Sequence, residues 1–208
     1  MKNRSIVALA GVLWFLSACN GRATNVAEKP SPPQSEPVVA PDATSAVTRT
    51  ADAIIAGQVA QRNADAAGLR AAAGKLDNLG ARPDDDQHDD LSESWSRQAS
   101  VIDPSTPPAV YRGRALGPSY KKGVVSATSR VSINQIFLAG KKASVALVPA
   151  SSKPVSIEIS DGEGRKICSR LTSLKPANCE WLPLFTERYQ IDIRTSESRP
   201  VSYYLVSN

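Results

Sequence analysis

Side chains that could do chemistry are few in this chain of 208 residues, and they lie far apart. The only histidine, His88, sits inside the acidic run Asp84 to Asp90. A nucleophilic Ser or Cys needs a base beside it, and one histidine alone cannot build a zinc site. The acidic run lacks the spaced ligands and the glycine turn of a calcium loop. We therefore predict a non-enzymatic protein with no catalytic residue, no metal site and no cofactor.

Carboxylates and aromatic side chains offer two further routes to a site. Paired carboxylates can act without histidine, but Glu158 and Asp192 fall at outward positions of predicted strands and are interpreted as solubilising charges. Among the aromatic residues, Trp181 and Tyr203 are expected in the core of the domain. The remaining tyrosines stay open as surface contacts; they are Tyr111, Tyr120 and Tyr204.

The N-terminus indicates export. Lys2 and Arg4 precede an apolar run over residues 6–16, which is too short to span a bilayer and is typical of a signal peptide. The run ends in Leu16-Ser17-Ala18-Cys19, which resembles the bacterial lipobox. That resemblance implies a lipoprotein signal peptide over residues 1–18 and a membrane anchor on a lipidated (palmitate-bearing) Cys19. Asn20 in place of Asp implies the outer membrane, facing the periplasm. The alternative is an ordinary signal peptide that ends near a Cys.

The other two cysteines are predicted to form a disulfide. Cys168 and Cys179 remain once Cys19 is lipidated, and an exported chain meets an oxidising compartment. Their spacing is not that of a redox CxxC motif, and no histidine lies near them in the sequence. A structural bridge is therefore favoured over a redox or metal role.

The first half of the chain is predicted to be an arm of three parts. Residues 19–44 are rich in proline and read as an extended tether. Residues 45–79 form a candidate helix whose apolar residues recur in steps of three and four. This stripe comprises Ile55, Val59, Arg62, Ala66, Leu69, Ala73 and Leu76. The helix is interpreted either as a weak oligomerisation stalk or a docking helix for a partner, or as a marginal helix that lies on the β-domain or frays in solvent. Residues 80–109 read as an acidic linker, because blocks of like charge are usually solvated.

The second half, residues 110–208, carries the alternation of half-buried strands. Val155, Ile157 and Ile159 share one face of a predicted strand, as do Tyr189, Ile191 and Ile193, and then Val201, Tyr203 and Leu205. About eight short runs of this kind are separated by turn residues. We predict an all-β fold, a small antiparallel β-sandwich or jelly roll preceded by a mostly disordered arm with one candidate helix.

Residues 120–208 resemble the bacterial pre-peptidase C-terminal (PPC) domain family in the order of their motifs. These motifs are Phe137-Leu138-Ala139-Gly140, Asp161-Gly162-Glu163-Gly164, Cys179-Glu180-Trp181-Leu182-Pro183, Thr186-Glu187-Arg188-Tyr189 and Tyr203-Tyr204-Leu205-Val206-Ser207-Asn208. The resemblance implies a β-sandwich accessory module without catalytic activity. Family members often carry acidic residues before the central strand, where this chain has Ser151-Ser152-Lys153-Pro154-Val155. That departure speaks against a metal site there.

Charge is divided unevenly along the chain. Residues 109–208 carry 15 Lys and Arg against 7 Asp and Glu, whereas residues 20–108 carry 8 against 13. A basic surface favours polyanions, although ordinary solubilising charge is the simpler reading. The predicted polyanion contacts are Arg112, Arg114, Lys121, Lys122, Lys141 and Lys142.

These features predict an exported, lipid-anchored envelope protein whose basic β-sandwich binds an envelope polymer or a protein partner. Nucleic acid is not expected as a partner, because the periplasmic address argues against it. The alternative is an assembly lipoprotein whose helical segment docks into a larger envelope complex.

Overall fold

The computed structural model describes residues 44–85, 89–106, 116–172 and 175–208. The described residues belong to one compact unit that spans Asp42–Asn208. Its helices are α1 (Ala46–Arg62), α2 (Ala66–Asn78) and α3 (Leu91–Ile102). Its strands are β1 (Arg82–Pro83), β2 (Ser119–Val125), β3 (Arg130–Phe137), β4 (Ala143–Pro149), β5 (Ser156–Ser160), β6 (Lys166–Leu171), β7 (Ala177–Trp181), β8 (Glu187–Arg194) and β9 (Val201–Ser207).

The strands form two sheets. Sheet A has the order β1-β2-β9-β4-β7, and sheet B has the order β3-β8-β5-β6. All pairs are antiparallel except β1 with β2, which makes sheet A mixed. The sandwich prediction is confirmed in this coarse form.

The core between the sheets is built from the inward residues of the alternating strands. Ile157 and Ile159 of β5 and Ile191 and Ile193 of β8 are fully buried. They meet inward residues of sheet A such as Leu147. Burial of such side chains contributes about 1.5–3 kcal/mol each, so this layer accounts for much of the sandwich's stability.

The three helices cover the outer face of sheet A. Their buried residues form one cluster with Tyr120, Ala146, Val148 and Tyr204, side chains of sheet A. As a result β4 is buried along its whole length, on both faces. None of the helices in the described ranges has the length and hydropathy needed to cross a bilayer.

The structure divides the predicted helix over residues 45–79 into α1 and α2. Ser45 caps α1 by accepting from the backbone N–H of Thr48 at 3.1 Å, and Asp65 caps α2 in the same way for Gly68. Between the two helices Ala64 has a φ of 50°. The predicted stripe is correct on α2 but wrong on α1, where the buried residues are Val47, Thr50, Ala51, Ala53, Ile54, Gly57 and Ala60.

The prediction of a linker over residues 80–109 is wrong for α3. Asp90 caps this helix by accepting from the backbone N–H of Ser92 at 2.9 Å. Leu91, Trp95 and Ala99, spaced by four, are buried against the other helices and sheet A. The acidic run therefore ends in a helix cap, and the arm is not mostly disordered. The protein is consequently not purely all-β.

The predicted disulfide is confirmed. Cys168 on β6 and Cys179 on β7 are bridged, with their Cα atoms 6.0 Å apart. Since β6 is the edge of sheet B and β7 the edge of sheet A, the bridge fastens the two sheets along one side of the sandwich.

Candidate polyanion-binding face

The outer face of sheet B carries no helix layer among the described residues and is lined mainly by polar side chains, with Ile136 and Leu171 as exposed apolar residues on it. We call this surface the polar face. Its members alternate with the core residues of their strands: Arg130, Ser132, Asn134, Ser156, Glu158, Ser160, Lys166, Ser169, Arg188, Gln190, Asp192 and Arg194. With strands about 4.8 Å apart and a rise of about 3.3 Å per residue, the face measures roughly 14 by 26 Å.

Asp192 is the centre of the polar face. It is only 5% exposed, and its Oδ1 atom accepts from Ser132 Oγ at 2.5 Å and from Gln190 Nε2 at 3.1 Å. Its Oδ2 atom accepts from Arg130 at 3.4 Å and from Arg194 at 3.3 Å. Burial raises the pKa of this carboxyl, but the hydrogen bonds outweigh burial and hold the pKa below its ordinary value. Asp192 is therefore an ionised structural anchor for two arginines, rather than the exposed solubilising charge that the sequence predicted.

A second carboxylate extends the network across β5. Glu158 lies 2.8 Å from Lys166 Nζ and 3.9 Å from Arg194. Arg194 thus lies between the two carboxylates, while about half of its side chain stays exposed. The polar face holds four cationic side chains and two carboxylates, a formal charge of +2. Such a surface can bind an extended anionic chain through guanidinium groups and hydroxyls.

The predicted contact residues are not gathered in one place. Arg112 and Arg114 lie outside the described residues. Lys122 pairs in register with Tyr204, and Tyr204 with Val148, so Lys122 lies six residues along the strand direction from Lys142. That separation is about 20 Å.

Two of the predicted contact lysines form ion pairs with carboxylates of the protein itself. Lys121 lies 3.7 Å from Asp84, and Lys142 lies 2.5 Å from Glu180. The Lys142 ammonium is the main reason that the pKa of Glu180 is lowered, with smaller contributions from hydroxyl groups. Lys122 borders a cavity under the helix layer, and Lys141 is exposed on a turn.

The helix layer buries two of the three tyrosines that were candidate surface contacts. Tyr120 is 2% exposed and Tyr204 is 9% exposed, so neither is a surface contact; Tyr111 lies outside the described residues. Tyr203 is in the sandwich core, and Trp181 is half-buried against Phe137 at a centroid distance of 4.8 Å. Within the described ranges no three His, Cys, Asp or Glu side chains are grouped closely enough to hold a metal ion.

The sequence contains an alternating pattern that indicates the polar face. Arg130, Ser132 and Asn134 alternate with Val131 and Ile133 on β3, and two of the four cations, Arg188 and Arg194, lie on β8, whose inward residues the sequence predicts. An outward position in a strand predicts an exposed side chain, and the sequence does not show that Asp192 is buried. Only the pairing of β3 with β8 brings Arg130 and Arg194 to opposite positions in the ladder and places Asp192 beside both.

Comparisons with known proteins add little. No family model matches the chain, and no curated relative is found. Among solved structures, the Yersinia pseudotuberculosis-derived mitogen is similar over 44% of this chain and 85% of its own, at 14% identity and a TM-score of 0.37. Aeromonas hydrophila PliG, a periplasmic lysozyme inhibitor of g-type lysozyme, is similar over 44% and 84%, at 13% identity and a TM-score of 0.36. With both TM-scores below 0.5, these likenesses say nothing about what this protein binds.

Proposed function

We propose that this protein is an exported, lipid-anchored, non-enzymatic component of the bacterial cell envelope that binds an anionic envelope polymer on its polar face. The observation that carries the proposal is the pair Arg130 and Arg194, held beside each other by the buried Asp192 while each arginine side chain stays about half exposed. Arginines fixed in this way lose little side-chain freedom on binding. The disulfide supports an oxidising compartment.

Membrane attachment through Cys19 and an outer-membrane location facing the periplasm complete the proposal. Both rest on the lipobox resemblance, and Cys19 lies outside the described residues. Labelled palmitate is expected to enter the wild-type protein in cells and to be absent from the Cys19→Ala variant. Incorporation into both forms, or into neither, contradicts the anchor.

The docking alternative has no specific observation in its favour. Most apolar residues of α1 and α2 are already buried in the cluster that the helices form with sheet A, although Val59 is 42% exposed. Polymer binding on the polar face is therefore the one function we develop.

Binding is tested with a chain that begins at Asn20, which contains the whole compact unit but no acyl chain. Its retention on peptidoglycan sacculi and on phosphorylated core oligosaccharide is measured at two salt concentrations. Arg130→Gln is expected to weaken binding roughly two- to fivefold at low salt and less at high salt, because one contact charge contributes about 1 kcal/mol in water.

The matched control is Arg62→Gln, which removes the same charge from an exposed position at the end of α1. Equal losses for the two variants would show a non-specific charge effect and contradict the polar face as the site. Binding that does not change with salt would contradict an electrostatic interaction altogether.

A further inference from the structure

Two neighbouring loops at one end of the sandwich expose large apolar side chains. The loop that follows β3 is joined to the loop that follows β7 by hydrogen bonds from Gly140 N to Pro183 O at 2.9 Å and from Ala139 N to Thr186 Oγ1 at 3.0 Å. We call their exposed apolar residues the apolar tip: Leu138 (51% exposed), Leu182 (60%), Leu184 (81%) and Phe185 (73%). These two hydrogen bonds join the loops that carry the four side chains at one end of the sandwich.

The apolar tip is unusual on this surface. Several other large apolar side chains that are exposed in the described ranges come singly, such as Val124 on β2. Single exposed apolar residues are normal, whereas a contiguous patch of a few hundred Å² marks an interaction surface. The sequence Leu182-Pro183-Leu184-Phe185 has neither the alternation of a strand nor a core to face. Folding alone does not account for it.

The charged side chains on the two loops of the apolar tip are lysines. Residues 138–142 and 182–186 contain Lys141 and Lys142 and no carboxylate. Lys142 lies against Glu180, while Lys141 is exposed and has no salt bridge within the described residues. Apolar side chains that protrude beside lysines are suited to the interface of a bilayer that contains anionic lipids, where each lysine contributes through the surface potential.

The described chain also begins at this end. Thr44 and Ser45 border the same cavity as Lys142 and Glu180, and Ser45 Oγ lies 3.2 Å from Ser144 Oγ at the start of β4. Residues 20–43 connect this point to Cys19. The described chain therefore begins at the same end of the unit as the apolar tip.

We propose that the apolar tip docks on the phospholipid surface that holds the anchor, with Leu184 and Phe185 inserted among the headgroups and Lys141 beside anionic lipid phosphate. This inference rests on the membrane anchor of the proposed function. Docking would fix the orientation of the sandwich on the membrane, so that the polar face stands at its side.

The test uses the unacylated chain from Asn20 and vesicles of phosphatidylethanolamine and phosphatidylglycerol. The wild-type chain is expected to sediment with these vesicles, and the double variant L184S/F185S is expected to show an at least tenfold lower partition coefficient. Lys141→Gln is expected to weaken binding about fivefold, from about 1 kcal/mol per lysine. Val101→Ser, an equally exposed apolar residue on α3, is expected to leave binding unchanged.

Insertion depth provides a second readout that does not depend on how well each variant binds. A tryptophan introduced as Phe185→Trp is expected to be quenched by brominated phospholipid, whereas one introduced as Val101→Trp is not. Equal quenching at the two positions, or equal partition of L184S/F185S and V101S, overturns the inference. A dimer in solution that L184S/F185S abolishes, together with absent vesicle binding, assigns the apolar tip to a second copy of the chain and also overturns it.

The two proposals fail separately. Loss of vesicle binding with retained, Arg130-dependent binding to sacculi overturns the docking of the apolar tip and leaves polymer binding in place. Absence of palmitate on Cys19 removes the anchor, and vesicle binding by the unacylated chain would then show that the apolar tip acts without it.

Discussion

Replacing Asp192 by Asn should lower the stability of the protein and raise its affinity for a polyanion. The Asn side chain keeps one acceptor for Ser132 and Gln190 but places an N–H₂ group beside the guanidinium groups of Arg130 and Arg194. Two charge-assisted hydrogen bonds are lost, each of a kind that contributes about 1.5–3 kcal/mol. The arginine side chains are 53% and 46% exposed, so water replaces much of that loss.

We therefore expect the free energy of unfolding to fall by about 1.5–2 kcal/mol. For a unit of this size that corresponds to a decrease in Tm of roughly 3–8 °C. The affinity for the phosphorylated core oligosaccharide should rise about two- to fivefold at low salt, because the removal of a negative charge outweighs the lost positioning of the two guanidinium groups. Glu197→Gln is the control, since it makes the same change in net charge at the exposed pair with Lys153.

The stability effect should also depend on pH in a defined direction. The pKa of Asp192 is lower in the folded protein than its ordinary value of about 3.9, so the folded state binds the proton more weakly than the unfolded state. The stabilisation by the carboxylate is present above about pH 4 and is lost as the pH falls through the folded pKa. Urea unfolding of wild type and Asp192→Asn should converge in that range. Equal stability at pH 7, or weaker polyanion binding by Asp192→Asn than by wild type, would refute this account of the polar face.

Two further predictions test the packing that supports the polar face. Reduction of the disulfide, or a Cys168→Ser/Cys179→Ser variant, should lower the free energy of unfolding by about 2.5–3 kcal/mol. The reason is that the bridge no longer restricts the ten residues between the two cysteines in the unfolded chain. Urea midpoints that do not respond to reductant would contradict this. Gly57→Ala should cost about 1–3 kcal/mol, because the added Cβ would lie 2.2 Å from the Trp95 ring. Gly162→Ala serves as its control, since a Cβ there meets the end of the Glu187 side chain at 3.2 Å and the Arg188 carbonyl at an ordinary 3.9 Å. Equal thermal midpoints for these two variants would show that α1 does not pack on α3 as described.

The sequence predicted the sandwich because strand alternation is a local pattern. The alternation of Tyr189, Ile191 and Ile193 predicts an inward face without knowledge of the facing sheet, and turn residues mark where each strand ends. The disulfide was likewise predictable from the count and spacing of the cysteines. Lipidation at Cys19 and the resemblance to the pre-peptidase C-terminal family stay predictions.

Sequence patterns did not predict the burial of sheet A on both of its faces. Tyr204, which the sequence analysis leaves open as a surface contact, and Val206 lie on the outer face of β9, and α1 to α3 cover them. The helix α3 was missed because the charge of the acidic run outweighed the spacing of Leu91, Trp95 and Ala99. Which surface of a sheet receives a helix layer depends on contacts distant in sequence, and periodicity does not encode them.

The amino-acid sequence by itself determined the strands, the cystine and the basic charge of the second half, since each depends on residue type and short spacing. The tertiary structure alone decided which charges act together. Pairing of β3 with β8 placed Arg130 and Arg194 beside Asp192, whereas Lys122 and Lys142 were separated by about 20 Å. The physical reason is that the strength of an electrostatic interaction depends on distance and burial, and both are set by strand register rather than by position in the chain.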